Sequence, residues 1–77
     1  MPKYPIDEKM RARLDNDYTY HSPKDDQPSR YTLIRETAKK LAEVIVENVP
    51  PSREQSVALT QLEQVVMEAN AGIARNE

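Results

Sequence analysis

Residues 28–55 read PSRYTLIRETAKKLAEVIVENVPPSREQ, and this stretch decides the fold. Pro28 suits the first position of a helix, where its missing N–H removes no bond, with Gln27 or Asp26 as the cap. The apolar positions that follow are Tyr31, Ile34, Ala38, Leu41, Ile45 and Val49, and Ala42 and Val46 widen the stripe. Steps of three and four residues put such positions on one face of an α-helix. Pro50-Pro51 stops that helix at about Asn48. Ser52-Arg53-Glu54-Gln55 then reads as a capping box: the Ser52 oxygen accepts the N–H of Gln55, and the Gln55 side chain reaches back.

Beyond the box, a second apolar face runs through Ala58, Leu59, Leu62, Val65, Val66, Ala69 and Ile73. Met67, Ala71 and Ala74 fall off this stripe, and a helix apolar on more than one face has a second partner surface. Gly72 costs about 1 kcal/mol relative to Ala in a helix interior, which points to close approach of another backbone. Each helix is roughly 20 residues, or about 30 Å. The short link from Val49 to Ser52 makes them antiparallel neighbours, so the expected fold is all-α, built on a two-helix hairpin.

Upstream, residues 15–27 hold no helical period, and Ser22-Pro23 and Lys24-Asp25-Asp26 are turn chemistry. Tyr18 and Tyr20 alternate along an extended segment, one placed to pack and the other to stack. Residues 1–17 form a polar extension ahead of the 18–77 hairpin domain. Pro5 fits the opening of a helix through Ile6–Leu14, with Asp7 and Glu8 at its positive end. Only Ile6, Met10 and Leu14 make an apolar line there, which leaves two alternatives, a docked helix or a frayed segment.

The chain has 77 residues, enough for one domain, with 31% charged residues and no Cys, Trp or Phe. Without Cys there are no disulfides or thiolate metal sites. No apolar run reaches the ~18 residues of a membrane span, and MPKYPIDEKM lacks the apolar core of a signal peptide. The expectation is a soluble, unsecreted protein. A net charge of −2 argues against duplex nucleic acid as the main partner. A core from fewer than ~70–80 residues rarely supplies more than ~3–5 kcal/mol, so self-association is the remaining stabiliser.

His21 is the only histidine, so no metal site is expected, and Ser22 beside it has no orienting acid for nucleophilic catalysis. No cofactor is implied. Arg35 and Lys39 stand at i and i+4 on one helix face, with Arg30 about a turn earlier. A solvated face with the pairs Glu36–Lys40 and Lys39–Glu43 accounts for much of this charge. It leaves Arg35 without an acid at either i+4 or i−4. Base–aromatic stacking contributes about 1–3 kcal/mol per base, and an arginine meets phosphate with charge-assisted, bidentate bonds. Tyrosines and cations on either side of a tight turn therefore suit a small anionic ligand with flat bases. One set is weak for a symmetric ligand; two sets from two subunits are much better.

Several segments together resemble one family. They are Tyr20-His21-x-Pro23, Asp26-Gln27-Pro28-x-Arg30-Tyr31, and Leu33-x-Arg35-x-x-Ala38-Lys39-x-Leu41-Ala42. Pro50-Pro51-Ser52-Arg53-Glu54-x-Ser56-x-Ala58-Leu59-Thr60-x-Leu62 and Val66-Met67-x-Ala69-Asn70-Ala71-x-Ile73-Ala74 complete the set. From about Tyr18 onward the chain resembles the bacteriophage anti-CBASS cyclic-nucleotide sponges, which act on the bacterial cyclic-oligonucleotide-based antiphage signalling system. The resemblance implies a compact homohexamer in the cytoplasm of an infected bacterial host. It implies pockets between paired subunits for cyclic dinucleotides such as 3′,3′-cGAMP, and separate pockets near trimer axes for cyclic trinucleotides such as cyclic tri-adenylate. The signal is held and not cleaved. Tyr20 then stacks on a base and Arg35, where the family often has Lys, meets phosphate with Lys39 beside it. His21, Thr37 and Arg75 match the trinucleotide pocket. Glu68 stands where relatives tend to carry Trp, and residues 1–17 lie outside the resemblance. Two other readings compete: a helical adaptor that binds a protein through its second apolar face, and a phosphodiesterase, which the absence of a metal constellation disfavours.

Overall fold

The computed structural model describes residues 3–77, and among them there are three helices and no strand. Helix α1 spans Glu8–Tyr18, α2 spans Gln27–Asn48 and α3 spans Arg53–Asn76. The all-α architecture and the α2–α3 hairpin agree with the sequence reading. α2 ends where the prolines require it, with the Val49 N–H donating to the Ile45 carbonyl at 2.9 Å. Ser52 is extended, and its hydroxyl accepts the Gln55 N–H at 3.1 Å. The other half of the capping box is absent. Gln55 Nε2 instead donates to the Val49 carbonyl at 2.8 Å, so this side chain ties the start of α3 to the end of α2. It satisfies a carbonyl that the end of α2 leaves open.

Three boundaries differ from expectation. Pro28 is the second residue of α2, not the first, because Gln27 is already helical and Asp26 is the cap. The Asp26 carboxylate caps no backbone N–H and lies 3.3 Å from Arg30 Nη1. Asp25 makes the preceding turn at φ 51°, a left-handed conformation that Asp tolerates better than most residues. α1 starts at Glu8, not near Pro5, because Asp7 is the effective cap: its Oδ1 accepts the Met10 N–H at 2.8 Å. α1 also continues through residues 15–18, a stretch read as non-helical. Tyr18 therefore ends a helix and does not alternate with Tyr20 along a strand-like segment, and both rings are exposed.

Among the described residues no hydrophobic side chain is buried, and the one buried residue is Gln27. Leu33, Val44, Val65 and Met67 are each more than half exposed. The molecule measures 52 × 37 × 14 Å, one helix thick, with a radius of gyration of 17.3 Å. A compact chain of this length has a radius of about 11–12 Å. The exposed surface is 6631 Å², roughly 1,800 Å² above the ~4,800 Å² of a compact monomer of this mass. A hairpin open on both faces has no second layer of its own. Within this chain nothing approaches Gly72, since a Cβ built there meets nothing within 4 Å.

Candidate functional site

The α2–α3 hairpin holds an open groove of about 550 Å³ along one face. Arg35, Ala38, Lys39, Ala42, Glu43, Val46 and Glu47 line it from α2, and Leu59, Leu62, Glu63 and Val66 from α3. The volume is within the range of small-molecule sites, which are typically apolar with a few placed polar groups. Charge is separated along its length: Arg35 and Lys39 stand at one end of the α2 wall, Glu43 and Glu47 at the other. The expected pairs Glu36–Lys40 and Lys39–Glu43 are not formed, since the ion pairs among the described residues involve Arg13, Arg30 and Arg75 only. Holding two long side chains together on an exposed helix returns so little free energy that such pairs are easily left open. Among the described residues, Arg35 and Lys39 thus have no carboxylate within ion-pair distance.

A second cluster sits where α1 meets the last turn of α3. Asn16 Nδ2 donates to the Arg75 carbonyl at 3.2 Å. Arg75 Nη2 donates to the Asp17 carbonyl at 3.3 Å, and Arg75 Nη1 lies 3.7 Å from the Asp17 carboxylate. His21 Nε2 is 2.9 Å from the Asn16 carbonyl. A carbonyl only accepts, so Nε2 carries the hydrogen in this contact.

A third cluster fixes the turn before α2. Gln27 Oε1 accepts from the Lys24 N–H at 3.2 Å and from the Tyr31 hydroxyl at 3.4 Å, and Gln27 Nε2 donates to Glu77 Oε1 at 3.1 Å. Lys24 Nζ donates to the Glu77 carbonyl at 2.9 Å. Hydrogen bonds from Arg30, then from Gln27, hold the Glu77 carboxyl down at about 2, against an ordinary 4.5. Bonds from Glu77 and Asp26 raise the Arg30 guanidinium further above its usual range. Arg30 is therefore committed to the fold and is not a free cation beside Arg35.

A family model described as Acb2/Tad1, hairpin domain, matches residues 10–74. The chain belongs to this family. It is the anti-CBASS cyclic-oligonucleotide sponge family that the sequence resembles. No curated protein and no solved structure matches the chain. The match begins at Met10, inside α1 and ahead of Tyr18, where the resemblance begins.

Within one Acb2/Tad1 hairpin the expected site residues fall into separate places. Arg35 and Lys39 share the groove wall, whereas Tyr20 is exposed in the link between α1 and α2 and does not line the groove. His21 and Arg75 join one network through Asn16 and Asp17. Thr37 is exposed on α2, its hydroxyl donating to the Leu33 carbonyl at 2.7 Å. Sequence reasoning did not single out Asn16, Asp17 or Glu77, and it read Gln27 only as a candidate cap and not as the partner of Glu77. Their partners are distant in the chain, so no local spacing marks them. Among the described residues no group of three His, Cys, Asp or Glu side chains is arranged to hold a metal, and no helix is long and apolar enough to cross a membrane.

Proposed function

We propose that this protein sequesters cyclic oligonucleotide signals without cleaving them and so blocks CBASS signalling in an infected bacterial cell. The 18–77 hairpin carries the binding. Tyr20 stacks on a base of a cyclic dinucleotide, while Arg35, supported by Lys39, meets a phosphate. His21, Thr37 and Arg75 form a separate site for cyclic trinucleotides. The ligands are molecules such as 3′,3′-cGAMP and cyclic tri-adenylate, and the binding form is a homohexamer whose pockets draw on more than one subunit. The observation that carries this reading is the family match together with two unpaired cations at one end of an apolar groove. The separation of Tyr20 from that groove within one chain supports pockets completed by a second subunit.

Titration calorimetry with 3′,3′-cGAMP and with cyclic tri-adenylate tests it. Binding of either at micromolar protein, with intact ligand recovered after heat denaturation, is expected. Absence of binding to both overturns the reading, and linear products would make the protein a phosphodiesterase. The exposed Met67, off the main apolar stripe of α3, favours one other reading, an adaptor that binds a different protein through that second apolar face. A stable complex with a host protein and indifference to both nucleotides would establish it.

A further inference from the structure

Asp17 stands between two arginines. Its Oδ1 lies 3.7 Å from Arg75 Nη1, and its Oδ2 lies 3.7 Å from Arg13 Nε, one turn earlier on α1. A charge-assisted hydrogen bond between such groups closes to about 2.7–2.9 Å, so both contacts are attractions across a gap and not bonds. The bond that Arg75 does make to α1 goes to main chain. The last turn of a helix leaves its carbonyls without partners of its own. Here those of Asp15, Asn16 and Asp17 are answered by the Thr19 hydroxyl, His21 Nε2 and Arg75 Nη2. That turn holds no basic residue, so Arg75 supplies from α3 the cation its negative end favours. Two of the three groups that cap α1 are thus His21 and Arg75, which the trinucleotide reading also needs, and one of them already faces a carboxylate.

From this juxtaposition we propose that Asp17 is a displaceable counter-ion: it holds Arg75 until a phosphate of a cyclic trinucleotide takes its place, and filling the site frees the end of α1. The proposal deepens the reading given above and rests on it, since Arg75 must be an anion-binding residue. A phosphate meets a guanidinium with two parallel bonds at hydrogen-bond distance, which the Asp17 carboxylate does not reach. The displaced carboxylate keeps Arg13, so the exchange leaves no bare charge on α1. The side chains of Arg75 and Asp17 are 38% and 30% exposed, so the exchange takes place at the surface and opens no core. Tyr20, Arg35 and Lys39 have no bond or ion pair in this network, so Asp17 sets a threshold for one class of ligand and not for cyclic dinucleotides.

Asp17→Asn keeps the shape of the side chain and removes its charge. Titration calorimetry should show the variant binding cyclic tri-adenylate about fivefold more tightly than the parent, the order of one partly exposed ion pair. Its affinity for 3′,3′-cGAMP should not change. Asp15→Asn takes the same charge from an exposed position of α1 that has no ion pair among the described residues, and it should change neither affinity. In the parent, amide exchange in α1 should quicken when cyclic tri-adenylate is added and not when 3′,3′-cGAMP is. An arginine has five N–H donors. If Arg75 serves α1 and a phosphate together, Asp17→Asn binds no better and α1 is not released, which overturns the proposal while the sponge reading stands. An equal gain in Asp15→Asn makes the effect one of net charge and overturns it too. Absence of cyclic tri-adenylate binding in parent and variants alike defeats the trinucleotide reading, and the proposal with it. Should Asp17→Asn fail to fold, the exchange measurement on the parent decides alone.

Discussion

Arg30 grips Glu77 with both prongs of its guanidinium: Nη1 donates to Oε1 at 2.9 Å, and Nη2 donates to Oε2 at 2.5 Å. The pair fastens the first turn of α2 to the end of α3, the opposite end of the hairpin from the Val49–Ser52 link. Glu77 titrates near 2 in the fold and near 4.5 when free. A depressed carboxyl stabilises the fold above about pH 4.5, and that contribution is lost as the pH falls toward 2. Arg30 stays charged throughout. Carboxyl NMR should therefore place the Glu77 midpoint near 2 at low salt. Glu77→Gln should unfold with a flatter dependence on pH between 5 and 2 than the parent. A midpoint near 4.5 would show that the grip is not maintained in solution.

Gln27 is the one buried residue, and its amide answers three groups at once. Gln27→Met keeps the length but removes both the acceptor for the Lys24 N–H and the donor to Glu77. Leaving such groups unanswered costs about 1–3 kcal/mol. Urea unfolding of the variant should show that loss. Gln27→Glu should be worse, because it sets a second carboxylate against Glu77. A neutral result for both substitutions would mean that water replaces the amide without penalty.

The parts of the fold that were legible in the sequence are those set by neighbours in the chain. Pro50-Pro51 and Ser52 fix where α2 stops and α3 starts, and both signals lie within a few residues of their effect. The far half of α1 was not legible. Asn16 and Asp17 are held by Arg75, 59 and 58 positions away, and no local pattern announces such a bond. Gln27 and Glu77, 50 positions apart, escaped for the same reason. Arg35 and Lys39 were legible because helical spacing alone puts them on one wall of the groove. Reading Lys39–Glu43 as an internal pair failed because spacing permits that contact without compelling it.

Tyr20→Ala and Arg35→Ala are expected to weaken 3′,3′-cGAMP binding at least a hundredfold each, through loss of stacking and of a charge-assisted phosphate contact. Both side chains are exposed in the single chain, so neither truncation opens a cavity. Calorimetry measures the affinity, and light scattering checks that the assembly mass is unchanged. Loss of the assembly in either variant would assign the residue to an interface and not to a ligand.

Arg75→Ala should loosen α1 while sparing the hairpin, because Arg75 supplies the Nη2 bond and the ion pair to Asp17. The expected sign is faster amide exchange confined to α1, with a change in global stability below about 1 kcal/mol, as for other partly exposed ion pairs. Thr37→Ala is the control for this effect. Its hydroxyl bonds only within α2, so α1 exchange should not change. If Arg75 and Thr37 share a trinucleotide site, both variants should still lose affinity for cyclic tri-adenylate. Retention of full affinity in both would remove them from that site.

Gly72 is the only glycine, and it lies within α3, outside the groove. A methyl group there meets nothing within 4 Å in this chain. Replacing a helical glycine with alanine gains about 0.5–1 kcal/mol by reducing the freedom of the unfolded chain. Gly72→Ala should therefore raise thermal stability at low protein concentration. If the variant is instead destabilised, and more so as concentration rises, another copy's backbone approaches α3 at this point. The smallest residue would then be a requirement of the assembly and not of the single hairpin.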